Sequence, residues 1–358
     1  MGGGSLRVLH IISNLNQGGA QKFLIELVNS EKYLYEKDIF VLNQSNKEFF
    51  QKDTESLNIM YSKTKNYWTF RKLFEIRAII RHYDLVHCHL FQAQYLTVIS
   101  SFFLKNKPLF ITTEHSPYNR RRRPIIKLIE IYIYSKYKKI ITVSDAVRES
   151  LVNWIGFRNR LVTIYNGIQL KRFEGIETSK KTSKYITILM VGRFTAAKNQ
   201  QQLIKAMSFL KDHYVLSLVG SGELLNKSAK LVKDLDLSDR IHFHGFDENV
   251  LKYYKSASIY VHLVHWEGFG LSVLEAMAAG LPVLSSKVDS LIDIVKDTGL
   301  FIETNSPKEI ASQIETIISN EILYKLMIEK SLKKATKYSI DITANEYMKV
   351  YNALVENE

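Results

Sequence analysis

The sequence predicts an α/β protein made of two Rossmann-like domains, each a doubly wound parallel sheet. Three observations carry this expectation. The chain has 358 residues, too many for one typical domain and suited to two. Short apolar runs alternate with helical patterns through both halves, as expected of parallel strands joined by crossover helices. A polar stretch, Gly175 to Lys184, separates the first alternating series from the second.

The elements follow in order. Residues 6–12 form the first apolar run, followed by Gly18-Gly19 and an amphipathic helix over 20–29. Further strand-like runs lie at 38–42, 85–89, 109–113, 140–143 and 162–165. The second series places strands at 186–191, 215–219, 241–244, 259–264, 282–285 and 300–302. The expected division is therefore a first domain over 1–170, a second over 171–340, and a closing helix over 341–358. Two such domains imply a cleft, with ligands outside the carboxyl ends of the strands.

Composition narrows the function classes. A hydrophobic content of 46% is ample for two cores. The longest membrane-span candidate, 95–104, is broken by Thr97, Ser100 and Ser101, well short of the roughly 18 residues a span needs. No cationic region precedes the first apolar run, so no signal peptide is expected. Met1-Gly2-Gly3-Gly4-Ser5 looks like an expression linker, and Leu6 occupies the hydroxyl position of a myristoylation pattern. Cys88 is the single cysteine, which excludes an intrachain disulfide and points to a reducing, cytoplasmic setting. The charge is uneven: residues 1–170 carry a net +12 and residues 171–358 a net +1. A concentrated basic surface attracts phosphates, nucleic acid or anionic lipid.

The most informative stretch runs from Trp266 to Val283. Glu267 opens a glycine-rich loop, Gly268-Phe269-Gly270-Leu271-Ser272, and Glu275 follows near the start of a short helix. Gly280 is placed to end that helix, and Pro282 opens the next strand. A helix N-terminus behind glycines is an anion site, because its free N–H groups and macrodipole favour phosphate. Carboxylates on either side suit sugar hydroxyls, so the segment reads as a site for a nucleotide joined to a sugar. Upstream, a strand runs into Gly192-Arg193, with Lys198-Asn199 at the next helix start. Arg offers a planar fork for phosphate oxygens and Lys a point charge. The Gly18-Gly19 pair permits close backbone approach to a ligand but lacks a full dinucleotide fingerprint.

The segment from Glu267 to Val283 resembles the E-x7-E motif of retaining GT-B glycosyltransferases, in particular glycosyltransferase family 4. The Gly192-Arg193…Lys198-Asn199 passage is similar to a second motif of that family. The resemblance implies the GT-B fold, with the closing helix crossing back onto the N-terminal domain. It implies that Glu267 holds donor-sugar hydroxyls and Glu275 the ribose, while Arg193, Lys198 and the helix start at Gly270–Ser272 take the diphosphate charge. His115 matches a family histidine that contacts the donor sugar. Gly18, Gly19, Gly192 and Gly222 match turns around the donor, and Ser144-Asp145 and Asn166-Gly167-Ile168 match turns of the first domain. Transfer with retention would proceed by front-face attack, the leaving phosphate accepting the acceptor's proton, with no metal or other cofactor. The chain departs from the pattern at Val264, Gln169, Asp289-Ser290 and Asp293, which weakens inference about the sugar and base. A UDP-sugar is the default donor.

His87-Cys88-His89 suggests metal at first sight, but on a strand the two His share a face and Cys88 points away. A metal needs three or four ligands, and nothing nearby completes the set, so none is expected. Arg120, Arg121, Arg122 and Arg123 are either a solvated charge run or a hold for a phosphate-bearing acceptor or anionic head groups. The segment with Trp68, Arg71 and Lys72 is either a membrane-interface patch or an ordinary surface helix. Nucleic acid explains the charge but not the Glu motif. The leading expectation is a transferase acting on a lipid-linked or polysaccharide acceptor in bacterial surface glycan synthesis, peripheral on the inner membrane face. A nucleotide-sugar epimerase of the same fold and a non-catalytic binding protein are the alternatives.

Overall fold

The structure, a computed structural model, describes residues 6–44, 50–102, 104–119, 122–176, 184–303 and 306–356. The chain divides into two compact units: Met1–Gly167 with Ile340–Glu358, and Ile168–Ser339. Both are parallel α/β units. Residues 1–5, expected to be a linker, Arg120, Arg121 and most of the stretch 175–184 lie outside the described residues.

The first unit holds strands β1 (Arg7–Ile12), β2 (Glu36–Val41), β3 (Asn58–Tyr61), β4 (Leu85–His89), β5 (Leu109–Glu114), β6 (Lys139–Thr142) and β7 (Leu161–Thr163). Their order is β3-β2-β1-β4-β5-β6-β7, with every pairing parallel. The chain winds outward from β1 to β3, then returns to β4 on the other side of β1. Strand β3 has no counterpart in the sequence expectation. It is a four-residue edge strand with both ends exposed, so it lacks the apolar run that marks its neighbours.

Alternation along each strand builds two layers. Leu9 and Ile11 of β1 and Val86 and Cys88 of β4 face one core with Ile76, Ile80, Leu96, Ile133 and Leu151. Ile12, Ile39 and Val41 face the other side, against Leu24, Ile25 and Val28 of the helix Gly19–Val28. Each such side chain taken from water contributes about 1.5–3 kcal/mol. The helix Ile340–Val355 packs beside Gly19–Val28, and Ser30 Oγ donates to Asp341 Oδ1 at 2.7 Å. Ser144 caps the helix Asp145–Ile155 by accepting from the Val147 N–H, and Gly156, at φ +80°, ends it.

The second unit holds β8 (Ile186–Val191), β9 (Tyr214–Val219), β10 (Ile241–Gly245), β11 (Ile259–His262), β12 (Val283–Ser286) and β13 (Leu300–Ile302). Their order is β10-β9-β8-β11-β12-β13, again all parallel. The order reverses between β8 and β11, and ligand sites of open α/β sheets form at that point. Ile188, Met190, Leu216, Ile259 and Val261 pack with Leu203, Ile204, Ile310 and Ile314 in one core. Among the described residues no helix is long and apolar enough to cross a membrane.

Candidate active site

The loops leaving β8 and β11 are joined by backbone hydrogen bonds. Lys198 forms an isolated antiparallel bridge with Val264. The Asn199 N–H donates to Leu263 O and the His265 N–H to Ala197 O, each at 2.9 Å. This pairing brings Lys198 to Glu267, and the ammonium is ion-paired with Oε2. The rest of Glu267 is held as firmly. The Gly268 N–H donates to Oε1 at 3.0 Å, and Ser290 Oγ donates to the Glu267 carbonyl at 2.7 Å. His262 Nε2 lies 2.9 Å from Oε2. Burial alone would raise the Glu267 carboxyl. The Lys198 ammonium and the His262 hydrogen bond outweigh it and hold the group well below the usual carboxylate range. Burial first, and the nearby Lys198 charge second, lower His262, so its imidazole is neutral.

The helix Leu271–Ala278 starts directly after this loop. Its N-cap, Gly270, sits at φ +98°, and a Cβ there would lie 2.4 Å from a Leu291 methyl. Leu271 and Ser272 of the first turn are half-buried. Glu275 is only 3% exposed, and Tyr254 Oη donates to its Oε2 at 2.8 Å. Gly280 ends the helical segment at φ +72°. Arg193 is exposed beside the Gly192 turn, and its carbonyl accepts from Gln200 Nε2 at 3.0 Å. The Phe269 ring is buried against Tyr338. Gly222, at φ +156°, is fixed by packing: a Cβ would lie 2.4 Å from Phe194 O.

In the first unit, Gly18 precedes the helix Gly19–Val28 in extended geometry, and Gly19 is exposed. His115 follows β5, half-buried. It stands at one end of a histidine layer absent from the sequence expectation. His89 Nδ1 lies 3.4 Å from His115 Nε2, and His89 Nε2 lies 3.0 Å from His10 Nδ1. His10 Nε2 meets Tyr33 Oη at 2.6 Å. His87 bonds Tyr351 Oη at 2.6 Å and Thr113 Oγ1 at 2.8 Å. The expectation that nothing joins His87 and His89 is therefore corrected. The β1–β4 register sets His10 opposite His87, and candidate ligand atoms of the three lie within 4.8 Å of one another. Their geometry is nevertheless that of a hydrogen-bonded stack. All six ring nitrogens have partners, and His87 and His89 stack with centroids 4.3 Å apart. Burial lowers all four histidines, His10 to about 3 and His115 to about 4, with His87 and His89 well below the ordinary value.

The basic surface also differs from expectation. Lys72 is fully buried, not at the surface. Its ammonium donates to the carbonyls of Leu42 and Thr64 and satisfies them inside the unit. Arg122 Nη1 donates to Pro117 O and Ser150 O, each at 3.1 Å, and so ties down its own loop. Arg123, Arg71 and Trp68 are exposed. The sequence reading missed an apolar stripe beside the arginines. Ile125, Leu128, Ile129 and Tyr132 are 86%, 78%, 53% and 44% exposed at helical spacing. They lie on the turn Pro124–Ile126 and the helix Lys127–Ser135, whose inner face buries Ile133 and Tyr134. Over 115–144 the chain carries eight Lys and Arg and one carboxylate, Glu130, which is buried on Trp154 Nε1 and Tyr95 Oη.

Two doubly wound parallel units, with a Lys–Glu pair where the second sheet reverses, match the GT-B class of glycosyltransferases. The family models agree: "Glycosyltransferase Family 4" matches residues 17–172 and "Glycosyl transferases group 1" matches 172–334. The chain belongs to glycosyltransferase family 4 and is a nucleotide-sugar glycosyltransferase. It is similar to the O-antigen biosynthesis glycosyltransferase WbnH of Escherichia coli, 25% identical over 95% of this chain and 97% of that one. It is also similar to a Campylobacter jejuni enzyme, N,N'-diacetylbacillosaminyl-diphospho-undecaprenol alpha-1,3-N-acetylgalactosaminyltransferase. The two are 26% identical over 64% of this chain and 66% of that one. The fold superposes on Anabaena HepE in complex with UDP and glucose, with a TM-score of 0.86, 15% identity, and coverage of 97% of this chain and 100% of that one.

Proposed function

We propose that this glycosyltransferase moves a hexose or N-acetylhexosamine from a nucleotide-sugar, a UDP-sugar first among them, to a lipid-linked or polysaccharide acceptor. The product belongs to a bacterial surface glycan, and the anomeric configuration is retained. The observation that carries the reading is the Lys198–Glu267 pair beside the start of the helix Leu271–Ala278. Such a site supplies preorganised charge for a diphosphate leaving group and a carboxylate for sugar hydroxyls. In this reading Arg193, Lys198 and the helix start take the phosphate charge, so the scheme uses no metal. Glu267 binds the sugar, and Glu275, fixed by Tyr254, lies toward the ribose. The acceptor's hydroxyl attacks from the face the diphosphate leaves, and a phosphate oxygen takes its proton. The resemblance gives His115 and the Gly18-Gly19 turn a part in donor contact, and we keep that assignment. The two bacterial relatives and the UDP complex support the choice of donor and acceptor class.

The first unit takes the acceptor side in this reading. The exposed apolar stripe 125–132, set in a chain segment with eight cations and one buried carboxylate, supports contact with an anionic membrane face. That makes the enzyme peripheral at the inner face of a bacterial membrane. The test of the site is Lys198→Ala. Nucleoside diphosphate release should fall by about 10²–10³-fold while the circular dichroism melt is preserved. Wild-type release from the folded variant would remove Lys198 from the site.

A further inference from the structure

We infer that His262 is a positioning residue for Glu267, holding its carboxylate through an Nε2–H donor while Tyr260 braces the imidazole at Nδ1. The inference rests on the reading of Glu267 as the donor-sugar carboxylate.

His262 is the last residue of β11, fully buried, five residues before Glu267. Its Nε2 lies 2.9 Å from Glu267 Oε2 and its Nδ1 lies 3.2 Å from Tyr260 Oη. The carboxylate is ionised beside the Lys198 ammonium, and an ionised carboxylate only accepts. Nε2 must therefore carry the hydrogen, since the other tautomer would set two lone pairs 2.9 Å apart. An imidazolium is disfavoured by burial and by Lys198 Nζ, 3.5 Å from the same nitrogen. With one hydrogen on the ring, Nδ1 holds the lone pair and faces the Tyr260 hydroxyl as an acceptor at 3.2 Å, with Val191 O a second acceptor for the same hydroxyl at 3.3 Å. The carboxylate sets the tautomer, and the three side chains form a line from Tyr260 through His262 to Glu267. Glu267 Oε2 thus has two donors, Lys198 and His262. A diphosphate can draw the ammonium away, and the imidazole then keeps the carboxylate in place. Tyr260 and His262 share a strand face by the period of two, which puts both on the Glu267 side.

Two measurements test this. The first is the ¹⁵N spectrum of the histidine rings in the intact protein, with the His262 signals assigned by their loss in His262→Gln. An Nε2–H tautomer is expected, and an Nδ1–H or protonated ring would overturn the inference without any substrate. The second is a double-mutant cycle of His262→Leu and Glu267→Ala, read as nucleoside diphosphate release from UDP-glucose and UDP-N-acetylglucosamine with a bacterial lipid extract. His262→Leu should lower kcat/KM by about ten- to a hundredfold, the range of a hydrogen bond to a charged group. Affinity for free UDP, measured by calorimetry, should stay within about twofold. His262→Gln, which restores an N–H donor, should recover most of the activity. In the Glu267→Ala background, His262→Leu should cost less than about twofold further, because coupled residues are not additive. Full additivity, or a wild-type rate in His262→Leu, would overturn the positioning role alone. A wild-type rate in Glu267→Ala, or no release by the wild-type protein from either donor, would remove the reading of the site and this inference with it.

Discussion

Lys198 and Glu267 are 69 residues apart, yet each was recognisable from its own surroundings: a lysine at a helix start after Gly192-Arg193, and a glutamate before a glycine-rich loop. What joins them was not recognisable. The bridge between Lys198 and Val264 depends on how two loops meet, and no local pattern encodes it. The same holds for His262, Tyr254 and Ser290, ordinary residues until their partners are known. Ser290 is instructive, because it replaces a glycine of the family pattern and donates to the Glu267 carbonyl. Lys72 misled in the opposite sense: a lysine among aromatics turned inward. Gly270 carries a prediction at this scale. Its φ of +98° strains any L side chain, and a Cβ there would press on a Leu291 methyl. Gly270→Ala should lower stability by about 1–3 kcal/mol, seen as a shifted urea midpoint. An unchanged midpoint would show that the helix start can relax.

At the scale of elements, nearly all strands could be read from buried apolar runs, because a sheet covered on both faces needs them. The edge strand β3 escaped, having one neighbour and exposed ends. The helix Lys127–Ser135 escaped differently. Its sequence Lys-Leu-Ile-Glu-Ile-Tyr-Ile-Tyr-Ser is apolar nearly all round, so no polar face marks which side meets water. The structure buries Ile133 and Tyr134 and leaves Ile125, Leu128 and Ile129 outside. If this stripe meets lipid, Ile125→Asp with Leu128→Asp should abolish flotation with vesicles containing phosphatidylglycerol. The fold should persist, because the altered side chains lie in solvent. Equal flotation of the wild type and the double variant would contradict the membrane role of this element.

At the scale of the molecule, the first unit carries four lowered histidines in one layer. Above the ordinary histidine value near 6.5 both folded and unfolded chains are neutral there, and stability is unaffected. Below it the unfolded chain binds protons that the folded one refuses, so stability falls as pH falls, until the folded values of about 4 for His115 and about 3 for His10 are reached. Each fully excluded proton costs about 1.4 kcal/mol per pH unit. Calorimetric melting should therefore fall steeply between pH 6.5 and 4, and a flat melting temperature there would mean that the layer is charged or open. The layer also shows where sequence reading stops. His10 and His87 are far apart in the chain, and only the parallel register of β1 with β4 brings them together. Sugar transfer itself is tested by nucleoside diphosphate release from UDP-, GDP- and ADP-sugars, with and without a bacterial lipid extract. The account predicts release from a UDP-sugar that depends on the extract, with the sugar recovered in the lipid fraction. Release without any acceptor, giving a rearranged sugar, would contradict it.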